Sequence, residues 1–158
     1  MTQTTPRPPS EFGTSCSWTI MLSKSCEYGL RATLYLSTLE SDGYVSIGKI
    51  SEELDISFPF LTKIFQKLND AGLLTSQRGP RGGVALTKPA DEMTLYEVVV
   101  AIDGDELFHE CVFGLPECGE AQPCPLHEEW VEERRRVETL FRNAPLAELP
   151  DVRLAAGE

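Results

Sequence analysis

The sequence lacks features that would place it in several large classes of protein. No apolar run approaches the roughly 20 residues that a membrane span needs, and residues 1–20 have neither the basic start nor the apolar centre of a signal peptide. None of the five cysteines forms a Cys-x-x-Cys pair, which argues against the common thiol redox enzymes. We therefore expect a cytoplasmic protein that has no membrane segment and is not an enzyme.

Positive charge is also scarce, since 14 Lys and Arg face 25 Asp and Glu and the formal net charge is −11. DNA affinity comes largely from cations that neutralise phosphates, so this total argues against a nucleic-acid binder. The distribution changes that conclusion. Residues 21–88 hold 8 Lys or Arg and 7 Asp or Glu, whereas residues 89–158 hold 5 Arg and 17 Asp or Glu. A DNA-facing N-terminal half is therefore compatible with the composition.

Apolar periodicity predicts a mainly α-helical domain over residues 21–103. Three helices are expected, over Lys24–Glu40, from the N-cap Ser46 to about Asp55, and from about Pro59 to Ala71. Residues 73–76 and 84–87 are strand-like and flank a basic, glycine-rich turn. Two helices joined by a tight turn and followed by a hairpin are typical of a winged helix-turn-helix.

The remaining chain divides into shorter segments. Residues 94–102 predict a fourth helix beneath the others, and residues 104–124 a cysteine-rich loop. Residues 125–145 predict a long charged helix whose narrow apolar stripe suits dimerisation with a second copy. Residues 1–20 predict a disordered leader, with Met21 as an alternative start, and residues 146–158 a loose tail.

Three cysteines provide the strongest chemical signal. Cys111, Cys118 and Cys124 have six and five residues between them, which is wider than the paired knuckles of most structural zinc sites. An iron-sulfur cluster suits this spacing because its iron atoms take separate thiolates. His127 at a helix start, or the carboxylate of Glu27, is a candidate fourth ligand. A zinc site of the same residues and unconnected free thiols are the alternatives, and we expect Cys16 and Cys26 to be non-ligands.

Several segments resemble one family, the bacterial iron-sulfur winged-helix repressors that include IscR and NsrR. The resemblance covers Met21 to about Leu149. It depends on these segments: Leu22-Ser23-Lys24 before the first helix, Ile56-Ser57 before Phe60-Leu61-Thr62-Lys63-Ile64, Arg78-Gly79-Pro80-Arg81-Gly82-Gly83-Val84-Ala85-Leu86, and Cys124-Pro125-Leu126-His127 with Cys111 and Cys118. The family implies a homodimer that reads both halves of a near-palindromic operator.

The resemblance also implies roles for individual residues. The third helix would enter the major groove of double-stranded operator DNA, and the wing would reach towards the minor groove. The residues placed for DNA contact are Ser57, Pro59, Phe60, Thr62, Lys63 and Lys67 on the turn and third helix, and Arg78 and Arg81 on the wing. Relatives use either a histidine placed like His127 or an acidic residue placed like Glu27 of the partner subunit as the fourth cluster ligand.

The sequence thus predicts a transcriptional regulator, a repressor whose operator affinity changes with the state of a 2Fe-2S or 4Fe-4S cluster. The signal would be redox change, nitric oxide, or iron or cluster supply. The alternative is a winged-helix protein-protein module or an iron-sulfur carrier, which the acidic C-terminal half favours. Salt-dependent binding to promoter DNA distinguishes the two, because a carrier would show none.

Overall fold

The chain folds as a mainly helical winged helix, as the sequence predicted. The structure, a computed structural model, describes residues 21–39, 43–116 and 118–149. Its elements in chain order are α1 (Lys24–Ser37), α2 (Ile47–Leu54), α3 (Phe58–Asp70), β1 (Leu74–Gln77), β2 (Gly83–Leu86), α4 (Leu95–Asp103), α5 (Glu106–His109), α6 (His127–Arg142) and a 3-10 turn (Leu146–Glu148). Among the described residues, no helix is long and apolar enough to cross a membrane. The predicted leader, residues 1–20, lies outside them.

Helix α1 begins where predicted but ends early. The Ser23 hydroxyl caps it by accepting the backbone N–H of Cys26 at 3.1 Å. The helix stops at Ser37, so the predicted end at Glu40 was wrong. The Ser37 and Thr38 hydroxyls donate to the carbonyls of Leu34 and Tyr35, and such side-chain bonds compete with the helical backbone ladder.

Helices α2 and α3 form the helix-turn-helix. Asp55 follows α2 in the left-handed conformation (φ 52°) and redirects the chain towards α3. Pro59 lies in the first turn of α3, where a missing backbone N–H leaves no bond unmade. The two helices bury one continuous apolar stripe, formed by Ile50, Leu54, Leu61, Ile64, Phe65 and Leu68. The opposite face of α3 is therefore free to meet a ligand.

Strands β1 and β2 form the wing as an antiparallel pair, with register from Leu74 opposite Leu86 to Gln77 opposite Gly83. A contact that the sequence did not reveal joins the wing to the α1–α2 connection, where Val45 and Val84 exchange backbone hydrogen bonds of 2.9 Å. Gly83 has φ +151°, and a Cβ there would lie 2.0 Å from the Val45 carbonyl oxygen. Glycine is thus required at position 83, where the wing backbone passes close to the Val45 carbonyl and the base of the wing is fixed.

Helix α4 closes the core beneath α1 and α3. Thr94 and Glu97 form a capping box at its start, and Val98, Val99 and Ile102 are buried. The segment after Pro145 was predicted to be loose, and for its first residues this was wrong. Leu146 is fully buried, and its backbone N–H donates to the Met93 carbonyl at 2.8 Å, since the apolar side chain completes the core.

The segment between α4 and α6 is not wholly a loop. Helix α5, which the sequence analysis did not predict, buries Phe108 between the rings of Tyr96 (4.9 Å between centroids) and Phe141 (5.8 Å). Four residues are too few for a detectable period, so packing rather than pattern stabilises this turn. Helix α6 is slightly shorter than the predicted 125–145, and none of its residues is buried within one chain.

Candidate functional site

The structure brings the three loop cysteines together. The Sγ atoms of Cys111, Cys118 and Cys124 all lie within 4.8 Å of one another, and each side chain is half-buried. Cys111 and Cys124 are the closer pair, with 3.6 Å between their sulfurs. A loop that spans 13 positions thus folds back on itself until its first and last cysteines touch.

His127 adds a fourth donor to this group. It is the first residue of α6, and its Nδ1 lies 3.2 Å from Cys118 Sγ. Its backbone N–H donates to the Cys124 carbonyl at 3.0 Å, so the turn into α6 holds both residues at one place. The three sulfurs and the His127 imidazole therefore lie together at one place.

Tight local turns shape the loop around the sulfurs. The backbone N–H of Gly114 donates to the Cys111 carbonyl (2.8 Å), and Gly114 has φ +65°, a conformation that glycine adopts without strain. Gly119 and Gln122 exchange backbone hydrogen bonds between the second and third cysteines. Large apolar side chains around the loop are roughly half-exposed, namely Val112, Phe113, Leu115 and Leu126. No periodicity in the sequence marks their concentration at the cysteines.

The cysteines differ in acidity. Burial opposes ionisation of the Cys111 thiol, but the backbone N–H groups of Phe113 and Leu115 and the neighbouring thiols stabilise its thiolate and lower its pKa to about 7. Burial raises the pKa of Cys124, and the adjacent sulfurs raise it further. A cysteine whose thiolate forms easily and lies beside two other cysteines is suited to metal binding, because the thiolate is the form that binds metals.

Cys26, expected to be a non-ligand, lies elsewhere. Its side chain is fully buried in the core. Burial, followed by the nearby Asp103 carboxylate, raises its pKa to about 12. Such a thiol stays protonated and behaves as a small apolar side chain. Cys16 lies outside the described residues.

Glu27 is not part of the cysteine group within one chain. Its carboxylate lies on the first turn of α1, where it forms an ion pair with Lys24 at 2.9 Å. Its side chain is 46% exposed, so it is available to a second molecule. Donation by Glu27 of the partner subunit stays a prediction.

The predicted DNA contacts fall into two sets. Most are exposed on one surface made by the turn, α3 and the wing, and these are Ser57, Pro59, Thr62, Lys63, Arg78 and Arg81. Phe60 is different, because it is half-buried with its ring edge-on to Tyr28, 5.6 Å between centroids. Phe58, which the sequence analysis did not single out, is 51% exposed as the first residue of α3. Its position at the start of the predicted third helix is the sequence feature that could have identified it as a candidate DNA contact.

Lys67 is exposed, but its charged group is bonded to another helix of the same chain. Its Nζ donates to the Ile102 carbonyl at 2.8 Å, at the C-terminal end of α4, where cations satisfy unpaired carbonyls and complement the helix dipole. The next residue, Asp103, accepts the backbone N–H of Ser23 at 2.7 Å and also the Ser23 hydroxyl. The end of α4 therefore joins helix α3, the start of α1 and the beginning of the cysteine segment.

Known proteins resemble this chain over most of its length. The model of the Rrf2 family, described as an iron-dependent transcriptional regulator, matches residues 22–151. The transcriptional regulator IscR of Erwinia tasmaniensis is 32% identical over 128 residues, covering 81% of this chain and 77% of that protein. The crystal structure of Staphylococcus aureus CymR is 30% identical, with a TM-score of 0.64, over 82% of this chain and 99% of that one. T. potens IscR, 23% identical, shares the fold with a TM-score of 0.65 over 89% of this chain and 90% of that one.

Proposed function

The chain belongs to the Rrf2 family of DNA-binding transcriptional regulators, and on that premise we propose that it is a repressor whose operator affinity depends on a bound iron-sulfur cluster. The observation that carries the proposal is the convergence of Cys111, Cys118, Cys124 and His127 at one place on the surface. The IscR relative adds support through its similarity over most of this chain.

The donors suit such a group chemically. Thiolates are the usual ligands of iron-sulfur clusters, and a histidine ligand also occurs. The three Sγ atoms lie within 4.8 Å of one another and His127 Nδ1 lies 3.2 Å from Cys118 Sγ, so three thiolates and one imidazole are available together to a cluster. When bound, the cluster would supply a centre that oxidation, nitric oxide or loss of iron alters.

The end of α4 supports a route from the cysteine segment to the DNA. Asp103 and Gly104 lead directly from α4 to α5 and then to Cys111. The same end of α4 holds α3 through Lys67 and the start of α1 through Ser23. A shift of the cysteine segment therefore acts on the position of α3 through hydrogen bonds that already exist. A ligand switch requires two arrangements of the DNA-reading helix whose populations change when the ligand binds or leaves. These contacts would connect the state of the cysteine segment to the arrangement of α3.

DNA would meet the exposed surface of α3 and the wing. Thr62 and Lys63 offer hydrogen bonds to base edges or phosphates, whereas Pro59 and Phe58 offer only shape and methyl contacts. Arg78 and Arg81 at the wing tip offer cations to the backbone or the minor groove. This surface belongs to the half of the chain in which positive and negative charges balance.

A homodimer would present two such surfaces. Helix α6 buries none of its residues within one chain, and Leu140 on it is 64% exposed. A second copy packed along this helix would cover Leu140. In such a dimer, Glu27 of the partner subunit is the alternative to His127 as the fourth ligand.

A zinc site is the second candidate, and one observation favours it. Zinc with thiolate ligands about 2.3 Å away sets neighbouring sulfurs about 3.8 Å apart in a tetrahedron. Cys111 and Cys124 are 3.6 Å apart, which is close to that edge. Iron, sulfide and zinc counts on protein purified without oxygen distinguish the candidates. Visible absorption with equal iron and sulfide supports the cluster, and stoichiometric zinc after attempted cluster reconstitution would refute it.

Ligand assignment is tested with Cys118→Ala, for which we expect colourless protein that is still folded. The matched control is Cys16→Ala, which removes a cysteine that we expect to be a non-ligand and should keep full colour. Full absorption and iron content in Cys118→Ala would show that the assignment is wrong.

DNA binding is tested with Arg81→Ala against promoter DNA. We expect weaker binding and a salt dependence reduced by about one counterion. Arg135→Ala is the control, because that arginine is 68% exposed on α6 and faces Glu132. Equal binding by the two variants, or binding independent of salt, would favour the carrier or protein-protein alternative.

A further inference from the structure

The backbone just before Cys111 is attached to α6 by two side chains. The indole Nε1 of Trp130 donates to the Glu110 carbonyl at 2.8 Å. The Arg134 guanidinium donates to the same carbonyl at 3.0 Å and to the His109 carbonyl at 2.6 Å. Both acceptors lie at the end of α5, where helical carbonyls lack partners in the backbone.

The same face of α6 carries the fourth donor of the site. His127, Trp130 and Arg134 follow one another at spacings of three and four, which places them in one row along a helix. The row thus carries the His127 ring at its first position, and its next two side chains bond the His109 and Glu110 carbonyls just before Cys111. Cys111 is otherwise the most remote donor in sequence, 13 positions before Cys124.

The turn after Cys111 depends on Cys111 itself. Gly114 donates to its carbonyl, and the backbone N–H groups of Phe113 and Leu115 approach its sulfur. These contacts shape the turn but do not position it against Cys124, because all of them lie within four residues. Within the described part of the chain, hydrogen bonds from Trp130 and Arg134 join the backbone just before this turn to the helix that carries His127.

We propose that Trp130 and Arg134 are positioning residues that keep Cys111 within reach of the other three donors. The inference rests on the proposed metal-binding role of the site and concerns its retention of the bound group. Without the two donors, the Cys111 turn would separate from α6, and the site would lose one sulfur for part of the time. The simpler reading is that they only cap α5 and stabilise the fold.

The test separates these readings in metal-free, reduced protein. Diamide takes two electrons and two protons from a pair of thiols and leaves a disulfide and the reduced hydrazine, so the rate of the Cys111–Cys124 linkage reports how often the two sulfurs meet. We expect Trp130→Phe combined with Arg134→Gln to slow this linkage at least about 10-fold, because hydrogen bonds to a charged donor are lost. Peptide mass spectrometry identifies the linkage.

Matched variants make the result decisive. Arg134→Lys, which keeps a cation, should restore part of the rate, and Arg135→Gln, which removes an arginine facing solvent and Glu132, should leave it unchanged. Trp130→Phe alone keeps an aromatic side chain and removes the N–H donor, so it serves if the double variant does not fold. A wild-type rate in a folded Trp130→Phe, Arg134→Gln protein would overturn the proposal, as would an equal decrease in Arg135→Gln.

A second measurement uses protein loaded with a cluster. The double variant should lose its visible absorption to an iron chelator about 10-fold faster, for the same loss of hydrogen bonds. Loss at the wild-type rate would count against the proposal. If the wild-type protein binds no cluster, the proposed function fails, whereas the disulfide rates still decide whether Trp130 and Arg134 position Cys111.

Discussion

The winged-helix region and the cysteine region are stabilised in different ways. Apart from Phe108 and Leu146, every buried apolar side chain of the described residues lies between Cys26 and Ile102. The segment from Gly104 to Asn143 depends instead on side-chain hydrogen bonds, on the rings around Phe108 and on donors that face one another. The first region is therefore stabilised mainly by apolar burial, and the second mainly by hydrogen bonds and ring contacts, so we expect the second to open more easily.

The difference in thiol chemistry is the largest effect that we expect. At pH 7, about half of the Cys111 thiols are ionised but only roughly one in 10⁵ of the Cys26 thiols, as follows from pKa values of about 7 and about 12. Thiolates of higher pKa react faster, which offsets part of the gap. Iodoacetamide should therefore label Cys111 in metal-free protein at least about 100-fold faster than Cys26. Mass spectrometry measures both rates, and similar rates in folded protein would remove this contrast.

The next largest difference should be in how much a side chain of each region contributes to the free energy of unfolding. Leu68→Ala removes a fully buried side chain from α3 and should lower the free energy of unfolding by about 2–5 kcal/mol. Cys118→Ala should change it by less than about 0.5 kcal/mol in metal-free protein, because that side chain is half-buried in a loop. Urea denaturation measures both. Equal losses would mean that the cysteine loop belongs to the cooperative core.

The base of the wing offers a sharper test within the first region. Gly83→Ala would place a Cβ against the Val45 carbonyl and should cost about 1–3 kcal/mol of stability. Gly48→Ala is the control, since nothing lies within 4 Å of its added Cβ in α2 and it should stabilise the protein by about 0.5–1 kcal/mol. Thermal melting measures the difference. A neutral Gly83→Ala would show that the wing is not fixed to the α1–α2 connection.

The smallest effect concerns pH and the start of α4. Burial opposes the charge of Glu97, but Lys88 and the Thr94 cap outweigh burial and lower its pKa below the ordinary 4.5. A lowered pKa contributes stability that is present above the unfolded-state pKa and is lost as pH falls through the folded-state pKa. Glu97→Gln should therefore be less stable than wild type at pH 7, with the gap closing below pH 4.5. A gap independent of pH would exclude this contribution.

Much of the first region was predictable, because its signals are local. The N-caps Ser46 and Thr94, the proline at the start of α3 and the stripe from Leu61 to Leu68 lie within a few residues of the structure they produce. The end of α1 was missed because two hydroxyls near it compete for backbone carbonyls. Helix α5 was missed because its stability comes from rings on α4 and α6.

The candidate site also has features that the sequence shows and features that depend on distant contacts. The residue types and spacing of Cys111, Cys118, Cys124 and His127 can be read in the sequence, as can the exposed cations of the wing. The engagement of Lys67 with Ile102, and of Phe60 with Tyr28, cannot. Each such pair spans more than 30 positions, and no periodicity connects its members.

The amino-acid order alone set most of the helical and extended segments and which side chains offer soft donors, because backbone preferences and ligand chemistry belong to single residues and their near neighbours. Only the folded chain decided that Trp130 and Arg134 bond the carbonyls just before Cys111, that Asp103 bonds Ser23, and that Leu146 completes the core. Those contacts form only when several helices pack together. The packing of the whole domain therefore determines which residues become partners, and no short segment of sequence does so by itself.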